Sequence, residues 1–360
     1  MSAEVHTSAQ KDEVNLDFLR ALAVLMVLVC HLSILFKFPR WMDYPTAVHL
    51  GRLGVLFFFV HTTLVLMFSL ERLRVKYGGA ALFLAFWIRR IFRIYPLSIL
   101  IVLVCFLGRL PVEHLPPGGF ASDNIWRGAL IANFLLVQNL IQAPSIPAPL
   151  WSLPYEIQMY VLLPFLFLLV RRIKSVRFAV FLWILSIPLA YIEPRLSPWF
   201  SLLKAFPYFL PGIVAYRLWG RRRSYWRAYA WPAVLIALAI VASLWYRDEM
   251  GWLACLFVGL TVPRFAPLQN PWLRTASREI AKYSYSIYLV HVLCLWLAFS
   301  RLQAFGLTAG WLVFIFTMVL TPIALYHTIE APMIRAGAWL VQHLFSRTQF
   351  STRLARGWTS

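Results

Sequence analysis

The chain has 360 residues, of which 61% are hydrophobic and only 13% are charged, and its mean hydropathy is +0.70. A soluble domain of this composition would expose a large apolar surface, so the composition excludes a soluble globular protein and favours membrane spans of about 20 apolar residues. The net charge of +20 would suggest a nucleic-acid partner in a soluble protein. Here the basic residues form short clusters between apolar runs, which favours membrane topology and anionic headgroups instead of nucleic acid.

Apolar runs predict about ten membrane-spanning helices, and the Lys and Arg clusters between them set their orientation. The basic segment 71–93 is predicted to be cytoplasmic, so the first helix runs outward and residues 1–14 form a polar cytoplasmic segment. The spans are predicted at about 16–36, 51–70, 88–110, 151–170, 178–193, 202–219, 228–246, 251–265, 283–299 and 309–328. The predicted fold is an all-α polytopic bundle with both termini cytoplasmic, in the cell inner (cytoplasmic) membrane.

One further apolar stretch, at 127–142, is not expected to cross the membrane. The orientation requires an odd number of crossings between 110 and 171, and the stretch 151–170 already supplies one. Because 127–142 is interrupted by Asn133, Gln138, Asn139 and Gln142, it is predicted to be re-entrant or buried within the bundle.

Ionisable residues within spans are costly and normally face a bundle interior or a cavity. Arg20 and His31 are 11 residues apart, which places them on one helix face and about 16 Å apart along the axis. Arg20 is expected near the cytoplasmic end, where it can pair with Asp17, and His31 in the outer half. The structural alternatives are an interfacial anchor for Arg20 and a hydrogen-bonded core histidine for His31.

Three arginines, Arg89, Arg90 and Arg93, begin the third span at its cytoplasmic end. Arg90 and Arg93 share a helix face and can present two guanidinium groups to phosphates, although the positive-inside rule explains them equally well.

Other candidates lie on later spans. Glu156 is predicted at the outer start of its span, one turn before Tyr160, where it can orient an imidazole or act as an acid or base. Tyr288 and His291 are predicted at the depth of His31. His61 is a third intramembrane histidine whose alternative role is a polar tie between helices. Cysteine spacing indicates neither disulfides nor a zinc site, and no metal is expected.

Six stretches in order resemble the acyltransferase-3 family of integral membrane acyltransferases, over about residues 14–335. They are "LDFLRALAVLMVLVCH", "GVLFFFVHTTLVLMF", "RRIFRIYPL", "LWSLPYEIQMYVLLP", "SYSIYLVH" and "IEAP". The chain departs from the family in one place, because many members have Ser-Gly-Phe where this sequence has His61, Thr62 and Thr63. The departure suggests a subgroup with a different acceptor.

The resemblance implies a membrane acyltransferase domain at 15–335, followed by a cytoplasmic tail at 336–360. It implies transfer of an acyl group, often acetyl, from coenzyme A to a hydroxyl of a cell-envelope carbohydrate, with acyl-coenzyme A as co-substrate and no prosthetic group. His31 is then the expected general base, with Glu156 to orient it, Arg20 or Tyr288 to stabilise the oxyanion and His291 nearby. Arg90 and Arg93, with Arg89, are expected to bind the donor.

Two other functions remain open from the sequence. A transporter or flippase could use the histidines and Glu156 as a proton relay. A membrane glycosyltransferase could use a lipid-linked donor. It would also need basic residues at the entrance of its cavity and buried acidic residues. Whether the acyl group moves directly or through an acyl-histidine is also open, and so is the oligomeric state.

Overall fold

The computed structural model describes residues 13–37, 39, 42–110, 126–219, 226–245 and 247–357, with side chains described over 14–345 within these ranges. Most of the predicted N-terminal segment, the larger part of the basic cluster at 220–227 and the end of the predicted tail therefore lie outside the described residues.

The described chain is a helical bundle, which confirms the predicted fold class. Each predicted span contains one α-helix. The helices are α1 (Glu13–Phe36), α2 (Tyr44–Lys76), α3 (Gly79–Leu107), α4 (Arg127–Leu135), α5 (Leu153–Arg172), α6 (Val176–Ile192), α7 (Phe206–Trp219), α8 (Ala230–Leu244), α9 (Asp248–Thr261), α10 (Pro271–Trp296), α11 (Gly306–Leu325) and α12 (Ala331–Gly357). Seven segments among the described residues are long and apolar enough to cross a membrane. The helices α7, α8 and α9 have only 14, 15 and 14 residues, so the number of crossings stays a prediction.

Local sequence signals set two of the helix starts. The Asp43 side chain accepts a hydrogen bond from the Thr46 backbone N–H at the start of α2. Hydrogen bonding from the Thr46 side chain, together with this backbone bond, holds the pKa of Asp43 below its ordinary value. The Asn270 side chain accepts one from Leu273 at the start of α10. Each cap is followed by a proline within the first turn, which is the usual order at a helix N-terminus.

Helix α2 lies at the centre of the bundle and packs against α1, α7 and α8. Its contact with α1 is close because residue 54 is glycine. A Cβ atom at Gly54 would lie 2.6 Å from the backbone oxygen of Ala23, so a larger residue would push the two helices apart. This contact fixes Arg20 and His31 of α1 relative to the central helix.

The segment 126–152 is an irregular part of the bundle rather than a spanning helix. It contains α4 and two 3-10 helices, Gln138–Ile141 and Ala148–Ser152. Buried Asn133 donates to the backbone oxygens of Ala129 and Pro144, and buried Gln138 donates to that of Leu150. Two of the four amide residues that argued against a crossing, Asn133 and Gln138, therefore satisfy the backbone of the segment itself.

Ion pairs join helix ends that the predicted orientation places on the same side of the membrane. Arg52, near the start of α2, pairs with Asp248 at the start of α9 at 2.9 Å. At the opposite end of the bundle, Glu71 of α2 pairs with Arg171 of α5 and accepts a hydrogen bond from Tyr216 of α7. We call the end at Glu71 the inner end, because the basic loops cluster there, and the end at Arg52 the outer end.

The C-terminal part of the bundle contains a π-helical turn, Tyr326–Glu330, between α11 and α12. Such turns often occur at functional sites. This one directs Glu330 inward, where its side chain is 1% exposed and lies 3.8 Å from the Arg93 guanidinium. Helix α12 packs on α3, where Gly337 meets Phe92.

Candidate functional site

A basic cavity of about 270 Å³ occupies the inner half of the bundle. Arg20, Arg72, Arg90 and Arg93 line it, against one acidic residue in its wall, Glu156. Four guanidinium groups around so small a space make it suited to an anionic ligand.

A larger cavity of about 640 Å³ lies towards the outer end. His31 lines it, together with an aromatic wall of Trp151, Tyr155 and Tyr208. Its lining is mostly apolar, with the basic residues Arg52 and Lys204 added. Apolar and aromatic walls with a few polar groups are typical of sites for organic ligands.

The two cavities share a wall, because Val55 and Tyr288 line both of them. The Tyr288 hydroxyl donates to the Pro149 backbone oxygen at 2.6 Å and lies 2.9 Å from the Ser152 hydroxyl. Since its single proton is used by Pro149, the Ser152 hydroxyl is the donor in the second bond. Tyr288 is thus held firmly at the junction.

His31 of α1 and His291 of α10 form a pair at the outer side of this junction. Their ring centroids lie 4.8 Å apart with an interplanar angle of 56°. The Nδ1 atom of His291 lies 2.7 Å from the Tyr288 backbone oxygen. Because a carbonyl only accepts, Nδ1 carries the proton and Nε2 is the basic nitrogen. That Nε2 is buried and has no hydrogen-bond partner among the described residues.

Two of the inner arginines are held by the protein. Arg20 Nε donates to the Ser284 hydroxyl at 2.6 Å. Arg93 lies 3.8 Å from the Glu330 carboxylate, whose other oxygen accepts from Ser286 at 3.1 Å. These contacts tie α1, α3 and α10 to the π-helical turn and fix the guanidinium groups in the cavity wall.

Glu156 lies in the first turn of α5, at the start of the span as the sequence predicts. It lines the inner cavity, and its carboxylate accepts a hydrogen bond from Tyr160 at 2.6 Å. Because His31 lines the outer cavity, the expected role of Glu156 in orienting His31 stays a prediction.

Most of the remaining predicted residues line the inner cavity, and one does not. Arg90 and Arg93 line the inner cavity, as the shared helix face predicts, whereas Arg89 is not among the lining residues of either cavity. His61 is only 6% exposed and lines the inner cavity. Among the described residues, no group of three or more His, Cys, Asp or Glu could hold a metal ion.

Sequence reasoning did not single out Arg72 or Ser152. The lining residues of α2 include a stripe at alternating spacings of three and four, and Arg72 is its last member. The stripe consists of Val55, Phe58, Thr62, Val65, Ser69 and Arg72. The spacing can be read from the sequence. However, α2 is buried on most sides, so the sequence shows no polar face that would distinguish the cavity-lining stripe from the rest of the helix.

An apolar helical bundle with an arginine-lined inner cavity and a histidine pair beyond it defines a polytopic membrane protein. The chain belongs to the acyltransferase-3 family, because that family's model, described as an acyltransferase domain, matches residues 13–327. The matched residues therefore form an acyltransferase-family domain with several helices long and apolar enough to cross a membrane.

A curated relative supports the same class. The chain is 32% identical over 167 residues to the protein named acyltransferase MdmB from Streptomyces mycarofaciens, a match that covers 44% of this chain and 40% of the relative. The chain thus matches less than half the length of that protein. No solved structure matches this chain.

Proposed function

We propose that the protein transfers an acyl group, in the simplest case acetyl, from a coenzyme A thioester to a hydroxyl of a cell-envelope carbohydrate, in the inner (cytoplasmic) membrane. The order of groups along the bundle carries the proposal. Arginines line the inner cavity, Val55 and Tyr288 line both cavities, and His31 lines the outer one. A donor that is anionic at one end and reactive at the other fits that order.

The donor's phosphates require cations at the inner end. Arg90 and Arg93, three residues apart on α3, both face the inner cavity and can bind phosphate oxygens with paired N–H groups. The uncharged pantetheine arm then extends between α2 and α10 towards Tyr288. The acceptor enters the outer cavity, where the wall of Trp151, Tyr155 and Tyr208 offers flat apolar faces to a sugar ring.

His31 acts as the general base at the junction. It removes the proton from the acceptor hydroxyl, whose oxygen forms a bond to the thioester carbonyl carbon. The carbon–sulfur bond then breaks, the thiolate leaves and takes up the proton from His31, and an ester and coenzyme A are the products. His291 presents the unprotonated Nε2 beside His31 and stabilises the imidazolium that forms there.

Tyr288 is better placed than Arg20 to stabilise the oxyanion that forms on the thioester carbonyl. Arg20 and His31 are about 16 Å apart along α1, which is too far for both to act on one carbonyl group. The Tyr288 hydroxyl lies at the wall shared by the cavities and becomes a donor to the oxyanion when it releases Pro149. Arg20 instead adds positive charge around the donor.

The experiment that tests the proposal is acetyl transfer by the purified protein in detergent, with radiolabelled acetyl-coenzyme A and host envelope glycans. We expect label in the glycan fraction with wild type, and a loss of about 100-fold or more with His31→Gln, since general-base catalysis contributes at least that much. His49→Gln is the matched control, because His49 lies outside both cavities. Equal transfer by wild type and His31→Gln would contradict the assignment of His31.

A further inference from the structure

Two arginines at the inner cavity are not held by carboxylates. Arg72, at the inner end of α2, is exposed, and Arg90 of α3 is half-buried; both line the inner cavity. Within the described part of the chain, neither takes part in an ion pair. The Arg90 Nε atom is buried and has no hydrogen-bond partner among those residues, which is costly unless a ligand supplies one.

The other two arginines of the cavity differ from Arg72 and Arg90 in having partners within the protein. Arg20 is bonded to Ser284 and Arg93 is paired with Glu330, so both are already held in place. Arg90 is positioned differently, because its guanidinium lies 6.0 Å from the centroid of the Phe86 ring. Contact with an aromatic face leaves the in-plane N–H groups of an arginine free for an anion. Arg72 and Arg90 line the same cavity from two different helices, α2 and α3.

The position of Arg72 at the inner end of the stripe on α2 indicates how an elongated ligand would lie along this helix. Arg72 and Phe58 are 14 residues apart on that stripe, which corresponds to about 21 Å of helix. A cavity of about 270 Å³ is below the usual size for a drug-sized ligand, so it accommodates a thin arm and not a nucleotide. The charged head of the ligand must therefore stay at the inner mouth, where Arg72 is exposed.

We propose that Arg72 and Arg90 form a clamp, one guanidinium from each of two helices, for the diphosphate of the acyl-coenzyme A donor. The proposal rests on the proposed function and adds Arg72 to the donor site. In the clamp, the two guanidinium groups bind opposite sides of the diphosphate and leave the nucleoside outside the cavity. The pantetheine arm then follows the stripe from Ser69 towards Phe58.

Binding measurements on the full-length protein in detergent test the clamp without requiring acyl transfer. The dissociation constants of coenzyme A, dephospho-coenzyme A and pantetheine are measured by calorimetry for wild type, Arg72→Gln and Arg90→Gln. Arg74→Gln is the matched control, because it removes the same charge from the same helix, while Arg74 pairs with Glu71 and is not a lining residue.

We expect Arg72→Gln and Arg90→Gln each to weaken coenzyme A and dephospho-coenzyme A about tenfold or more, as the loss of a charge-assisted hydrogen bond does. Binding of pantetheine, which has no phosphate, should not change, and Arg74→Gln should bind all three ligands as wild type does. Stronger binding of coenzyme A by wild type than by Arg72→Gln supports the clamp even if no acceptor is found.

Three results would overturn the clamp. Unchanged binding of coenzyme A by Arg72→Gln would remove Arg72 from the donor site and leave the proposed function intact. If Arg72→Gln weakened the binding of coenzyme A but not of dephospho-coenzyme A, Arg72 would be assigned to the 3′-phosphate and not to the diphosphate. Absence of coenzyme A binding by wild type would overturn the proposed donor and the clamp with it.

Discussion

The inner and outer cavities differ in how their charges are satisfied. In the inner cavity, Arg20 and Arg93 are bonded within the protein interior, and Arg93 pairs with a carboxylate that is 1% exposed. In the outer cavity, Arg52 pairs with Asp248, and their side chains are 34% and 48% exposed. Burial makes a charge network specific and costly to break, whereas an exposed pair contributes little. The buried contacts of Arg20 and Arg93 in the inner cavity are therefore expected to be harder to break than the exposed ion pair of the outer cavity.

The largest effect is expected at the wall that joins the cavities. Tyr288→Phe removes the hydroxyl bonded to Pro149 and Ser152, and with it the proposed oxyanion donor. We expect kcat to fall about 100-fold, the loss typical of removing one such donor, with little change in KM for either substrate. Steady-state kinetics with acetyl-coenzyme A measure this. A change confined to KM would assign Tyr288 to substrate binding.

An intermediate effect is expected at Glu330. Glu330→Gln keeps the shape of the side chain but removes the charge opposite Arg93, so the guanidinium loses its fixed position. We expect the KM for acetyl-coenzyme A to rise about tenfold, while the KM for the acceptor stays constant. The control is Ser286→Ala, which removes only the hydrogen bond to Glu330. A change in the acceptor KM would show that the two cavities are not separate sites.

The smallest effect is expected at the outer ion pair. Arg52→Gln breaks the contact with Asp248, but both side chains are about a third or more exposed, and such pairs contribute about 0 to 1 kcal/mol. The thermal midpoint in detergent should therefore change little, and the KM for acetyl-coenzyme A should not change. A rise in the donor KM as large as that expected for Glu330→Gln would remove the distinction between the two cavities.

Helix positions could be predicted from the sequence because hydropathy over about 20 residues decides membrane insertion. Each predicted span contains one helix, and the amides Asn133 and Gln138 correctly marked the irregular segment. The shared face of Arg90 and Arg93 follows from helix geometry alone, and both line one cavity.

The cavity that Glu156 lines and the position of Arg72 in the wall of the same cavity could not be predicted, because both depend on tertiary packing. No local pattern encodes which cavity the Glu156 carboxylate faces. Arg72 looked like one more residue of a basic loop. Its difference from Arg74 is that Arg74 has Glu71 as a partner while Arg72 faces the cavity, which only the packed helices reveal.

The most direct test of the central claim, that donor and acceptor occupy opposite ends of one bundle, is the sidedness of donor use. Sealed membrane vesicles of the two orientations receive radiolabelled acetyl-coenzyme A from the outside only, with envelope glycans on both sides. We expect transfer when the inner end of the bundle faces the added donor, and none in the opposite orientation until the vesicles are permeabilised. Equal transfer in both orientations of sealed vesicles, or transfer only when the outer end faces the donor, would contradict it.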